Sequence, residues 1–174
     1  MYAGIDPGTS GAIAVLDKDG QLLRVLDMPS AKIDKSHYIK AEPFINALKD
    51  CEHACIELVG SRGGNSANSM FSFGAGFGSA LTLLYMCDLK PIMPLPQEWQ
   101  KHFGLGSIKF PKGTSQSKRD KAKKQQIAEK CLELYPDANL YGPRGGFKDG
   151  RSDAILIARY LYDLNTISSN KEAA

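Results

Sequence analysis

A single acid sits inside an apolar hairpin at the start of this chain, and that placement limits what the chain can become. The run YAGIDPGTSGAIAVLD puts Asp6 at the end of a short apolar segment, with Gly4, Gly8, Thr9, Ser10 and Gly11 around it. A lone carboxylate removed from water costs several kcal/mol, or else binds a proton and becomes neutral. A strand that carries an acid toward a core therefore needs a compensating partner from elsewhere in the chain.

The surrounding pattern predicts the frame that holds this acid. YAGID and GAIAVLD read as two strands, and QLLRVLDM as a third after the Asp19–Gly20 turn. HYIKAEPFINALKD has helical spacing, and ACIELV is a short apolar run typical of a buried parallel strand. The loop GSRGGNSANS precedes a Gly-rich apolar helix, MFSFGAGFGSALTLLYM. PIMPLP reads as a further buried strand, QEWQKHF as a short helix and residues 104–117 as a mobile loop. KRDKAKKQQIAEKCLELYP predicts a helix stopped by Pro136, and RSDAILIARYLYDL the last helix. The expected class is α/β: a mixed five-stranded sheet, three antiparallel strands then parallel strands, with helices on both faces. The 174 residues suffice for one domain over 1–167, with 168–174 expected to be a disordered tail.

More acids fall at inward positions. Asp149, Asp153, Ile157, Tyr160 and Leu164 recur at helical spacing and line one face of the last helix. Glu57 lies near the exit of the ACIELV strand, between apolar neighbours. Taken singly, Asp6 could serve a turn, Glu57 could pair with a lysine, and Asp149 could be a plain N-cap. Taken together they repel one another, and divalent cations such as Mg²⁺, which favour carboxylate and water oxygens, remove that repulsion. Two such ions about 4 Å apart suit phosphodiester hydrolysis.

Charge points the same way. The net charge is only +3, yet residues 96–130 carry +6 and the remainder −3. A basic zone on a near-neutral body fits a polyanion partner. Lys124, Ala128, Cys131 and Tyr135 form the inward stripe of the penultimate helix, so Lys124 can reach a phosphate beside the acids while Lys118, Lys121 and Lys123 fan outward. The duller alternative for Lys124 is that it snorkels to solvent. Phe71 and Phe73, with Arg62 before them, are candidates for stacking on an unpaired base, whereas Phe77 is expected to pack. Four cysteines without a CxxC pair and three scattered histidines argue against a disulfide framework or a structural zinc. No apolar run is expected to span a membrane and no leader peptide is expected, so the anticipated location is a reducing, cytosol-like compartment.

GIDPGTSGAIAVLD, the IEL strand with Glu57 and the DGRSDAILIA stretch together resemble the RuvC family of Holliday junction resolvases, nearest its phage-type and organellar branch. The resemblance runs from Tyr2 to about Leu164. It implies a ribonuclease H-like fold and a homodimer that nicks opposed strands of a four-way DNA junction, leaving 5′-phosphates. It also implies that Asp6, Glu57, Asp149 and Asp153 bind two Mg²⁺ ions, for which Mn²⁺ substitutes, and that Lys124 acts beside them. Arg62, Phe73, Lys118, Lys121, Lys123 and Arg151 are then candidate DNA contacts. In bacterial members the last two acids are three residues apart; here the spacing is four, and Gly150 occupies the i−3 position. The competing classes are a ribonuclease H-like nuclease acting on RNA or other branched DNA, a junction-binding protein without catalysis, and an actin-like ATPase. The last normally needs two such domains, which 174 residues do not hold.

Overall fold

The computed structural model describes residues 1–34, 36–58, 66–106 and 108–172. Strands β1 (Tyr2–Asp6), β2 (Ala12–Leu16), β3 (Leu22–Asp27) and β6 (His53–Ile56) form a sheet in the order β3-β2-β1-β6. The first three are antiparallel neighbours, and β6 runs parallel to β1. A separate hairpin pairs β4 (Ser30–Ile33) with β5 (Ser36–Ile39). Helices α1 (Ala41–Ala47) and α2 (Ala67–Met86) cover one face of the sheet, and α3 (Pro96–His102), α4 (Gln116–Leu134) and α5 (Asp149–Glu172) the other.

Side-chain alternation along the strands sorts the two faces. Ala3, Ile5, Ile13, Val15, Ala54 and Ile56 point into a core with Phe44, Ala80 and Leu84. Ala12, Ala14, Leu16 and Cys55 meet Trp99, Cys131 and the Ala154–Ala158 stretch of α5 on the opposite face. β1 carries a glycine where α5 crosses it most closely. A Cβ added at Gly4 would stand 2.2 Å from the Ala158 backbone nitrogen.

Four expectations need correction. The predicted fifth strand is reduced to one parallel bridge, Cys55 to Ile92, so the sheet has four strands. Pro91, Pro94 and Pro96 carry no donor there, and three bonds remain of the ladder: Ile92 N–H to Ala54 O, Ile56 N–H to Ile92 O and Leu58 N–H to Pro94 O. The helix expected from His37 begins instead at Ala41, because an earlier start would bury Pro43 in the helix interior against a preceding carbonyl. The last helix continues past Leu164 to Glu172, through most of the expected tail; Asn165, Thr166 and Ser168 side chains donate to carbonyls four residues back. Finally, α2 is long and apolar enough to cross a membrane by length and composition alone, with a mean hydropathy of 1.2 and no charged residue. Its Gly76, Ala80, Leu83 and Leu84 are nevertheless packed within the protein.

Candidate active site

The same alternation places the acids. Tyr2, Gly4 and Asp6 share the α5 face of β1, and Cys55 and Glu57 share that face of β6, which reaches the next position beyond its last residue. Ile5 pairs with Ile56, and Glu57 N–H donates to Ile5 O at 3.1 Å, so Asp6 and Glu57 end adjacent parallel strands. Helix α5 brings the other two. Its first turn rests on the β1–β2 turn so closely that a Cβ at Gly150 would lie 2.4 Å from Ser10 O and 2.6 Å from Gly11 Cα. An acid three residues before Asp153 is therefore excluded by contact, and the partner acid falls at Asp149 instead.

Electrostatics show how tightly these groups share space. Burial pushes the Asp6 carboxyl up to about 6 from its ordinary 3.8, the Gly8 N–H donating to Oδ1 at 3.2 Å opposes that rise, and Asp149 adds to it. Burial also raises Asp153 well above the usual carboxylate range, reinforced in turn by Asp6, Glu57 and Asp149. Asp153 is thus the hub, coupled to all three other acids. The nearby cation is Lys124, whose Nζ stands 2.5 Å from Asp149 Oδ2 and which stays 56% exposed. The Asp149 hydrogen bond raises the lysine's own affinity for its proton, so it remains charged. Glu57 is buried and accepts a hydrogen bond from Trp99 Nε1 at 2.8 Å.

Hard carboxylate oxygens in this number suit a divalent cation of the Mg²⁺ type. Among the described residues, no three His, Cys, Asp or Glu side chains are already drawn into one closed ligand sphere. The four acids share a neighbourhood without forming a ready-made cage.

The other candidates divide. Lys118, Lys121 and Lys123 are exposed on α4, while Ala128, Cys131 and Tyr135 of the inward stripe are buried. Phe71 is 65% exposed, Phe73 lines a small cavity with Thr9 and His37, and Phe77 packs on the α2 core. Arg62 lies outside the described residues. Arg151 has a different role from the expected DNA contact. Its side chain is only 12% exposed, with Nε donating to Asp27 at 2.7 Å and Nη1 to the carbonyls of Asn139 and Tyr141. It ties β3 to the segment before α5, which leaves the guanidinium engaged by the protein itself.

By sequence the chain matches no family model and no curated protein. By structure it is similar to Thermus thermophilus RuvC in complex with a Holliday junction substrate, with a TM-score of 0.60 and 13% identity over 94% of each chain. A second structure of Thermus thermophilus RuvC matches with a TM-score of 0.56 and 14% identity over 95% of each chain. The fold is RuvC-like.

Within this RuvC-like fold, two features escaped sequence reasoning. Trp99 is the single tryptophan, in a short helix after three prolines, and nothing near it in sequence marks it as the partner of Glu57, 42 residues away. The run YGPRGGF does carry a signal: Gly and Pro between two aromatics mark a turn, and Tyr141 and Phe147 form an antiparallel bridge across it.

Proposed function

We propose that this chain is a divergent member of the RuvC family, a divalent-cation-dependent endonuclease that resolves four-way DNA junctions by paired nicks leaving 5′-phosphates. The observation that carries this reading is Asp153 standing among Asp6, Glu57 and Asp149, with burial and mutual repulsion raising its carboxyl. Several acids from separate elements crowded into one neighbourhood, with Lys124 as the nearby cation, are what a cation site requires and what a plain core avoids.

Asp6, Glu57, Asp149 and Asp153 would hold the ions. When bound, one or two Mg²⁺ or Mn²⁺ ions supply an activated water and positive charge for the departing oxygen. The chain's own residues do the positioning. Gly8 N–H orients Asp6, and Trp99 Nε1 donates to Glu57 Oε2 and so holds that carboxylate in place. Lys124 lies beside Asp149, where its ammonium can approach a phosphoryl oxygen as charge develops. The exposed Lys118, Lys121 and Lys123 would track phosphates further along the strand. A homodimer is supported by apolar side chains left open on α2, among them Phe71, Tyr85 and Met86.

The test is cleavage of a synthetic mobile four-way junction beside three-way, duplex and RNA–DNA substrates, with and without Mg²⁺. Paired nicks in the four-way junction only with Mg²⁺ are the expected result. Binding without cleavage would leave a junction-binding protein, and preference for the RNA hybrid would shift the substrate class.

The outward lysines give a separate expectation. Each phosphate contact contributes about 0.9 to the salt slope of log K on duplex DNA. The Lys118/Lys121/Lys123 triple Ala variant should bind more weakly and lose about 2 to 3 from that slope, measured by fluorescence anisotropy over a salt series. An unchanged slope places the DNA surface elsewhere.

A further inference from the structure

A groove of about 660 Å³ lies between α4 and the segment that leads into α5; cleavage as described above draws on its Lys121 and Lys124 but gives no role to its apolar and aromatic lining. Its floor is apolar, with Ala128, Leu132 and Leu140. Lys121 and Lys124 form one wall, and Tyr141 and Phe147 the other. The two aromatic rings meet edge to face at 5.9 Å, yet Tyr141 stays 55% exposed and Phe147 40%.

The hairpin that carries them is held from several sides. Gly142 N–H donates to Gly146 O at 2.8 Å and Lys148 N–H to Leu140 O at 2.9 Å, while Gly145 takes the turn with φ of 75°. Arg151 Nη1 holds the Tyr141 carbonyl at 2.9 Å. A backbone set in advance lowers the ordering cost when a ligand covers the rings it carries. The groove also adjoins the acids. Only Lys148 separates Phe147 from Asp149, a span of at most about 7 Å, and Lys124 belongs to both the groove and the Asp149 ion pair.

An apolar floor, an aromatic wall and a lysine wall match a single nucleobase with its attached phosphate. Asp120 and Glu129 also line the groove, so it does not suit a run of phosphates. We propose that this groove takes one unstacked base of the cleaved strand, packed against the Tyr141–Phe147 aromatic pair next to the scissile phosphate. The base then fixes which phosphate meets the acids. This inference rests on the nuclease reading above and adds a base-binding subsite to it.

The experiment is a thermodynamic cycle on the full chain. Junction affinity is measured without Mg²⁺ for wild type and for the Tyr141→Ala/Phe147→Ala double variant. Each is tested on an intact junction and on junctions with an abasic nucleotide on either side of the bond that wild type cuts. Aromatic removal and base removal at one of the two positions should each weaken binding about tenfold. The two together should lose little more than either alone, because both delete the same contact. A Tyr141→Phe/Phe147→Tyr variant should retain wild-type affinity, and the abasic arm uses unaltered protein, so misfolding cannot mimic the result. If wild type cuts the junction with Mg²⁺ but the two losses add independently or are absent, the subsite is overturned and the nuclease reading stands. If wild type neither binds nor cuts the junction, both fall.

Discussion

Asp153→Asn is expected to lower junction cleavage by more than about a hundredfold while making the ion-free protein more stable at neutral pH. The first half follows from its place as hub among the acids, since residues one step removed from a metal already cost 10–100-fold when altered. The second half follows from its charge. Burial pushes the Asp6 carboxyl from 3.8 up to about 6, so between those values the folded chain keeps a proton that the unfolded chain has lost. Stability therefore falls as pH rises through that window and stays lowered above it, by about 3 kcal/mol for Asp6 alone. Asp153 is raised by burial and by three neighbouring acids, which extends the fall to higher pH. An amide at 153 removes the cost of burying an ionisable carboxyl there and relaxes the other acids, so unfolding at pH 7 should move up by about 5 °C. The gain should vanish near pH 4, where the acids are protonated in wild type as well. Thermal melts across pH 4–8 check this, and a variant that is less stable at pH 7 or cleaves at the wild-type rate would contradict it.

Gly150→Ala carries the second large effect. Helix propensity alone favours Ala over Gly by about 1 kcal/mol. Contact opposes it, because the new Cβ would stand 2.4 Å from Ser10 O and 2.6 Å from Gly11 Cα, both backbone atoms with no rotamer to yield. Overpacking of this kind costs about 1–3 kcal/mol and displaces the backbone. The displacement moves the first turn of α5, and with it Asp149 and Asp153, away from Asp6. A lower melting temperature together with at least a tenfold loss of cleavage is the expected pair. A stabilised variant with full activity would show that the close approach does not set the acids' spacing.

What the sequence revealed of this site was its local part. The alternation that separates Ala3 and Ile5 from Gly4 and Asp6 is written in β1 itself, and the Lys124–Ala128–Cys131–Tyr135 stripe in α4. Local pattern failed where a distant residue or a backbone restriction decided the outcome. Three prolines turned an apolar strand into a single bridge. Pro43 shortened a helix whose spacing extends further back. Arg151 looks like a phosphate contact until Asp27, 124 residues earlier, is found against it, where the guanidinium holds that carboxyl below the usual range. Gly150 stands where a third-residue acid would have been expected, and only the β1–β2 turn packed on it explains the four-residue spacing.

The central claim is that Asp6, Glu57, Asp149 and Asp153 gather to hold divalent cations. Calorimetric titration of Mn²⁺ into the ion-free protein at pH 6, in buffers of different ionisation heat, tests it most directly. Saturable binding that releases protons from the raised acids is predicted, with about 2.7 kcal/mol of added stability at a hundredfold excess over Kd. Asp153→Asn should lose that binding. Absence of saturable binding in wild type, or binding unchanged by Asp153→Asn, would contradict it.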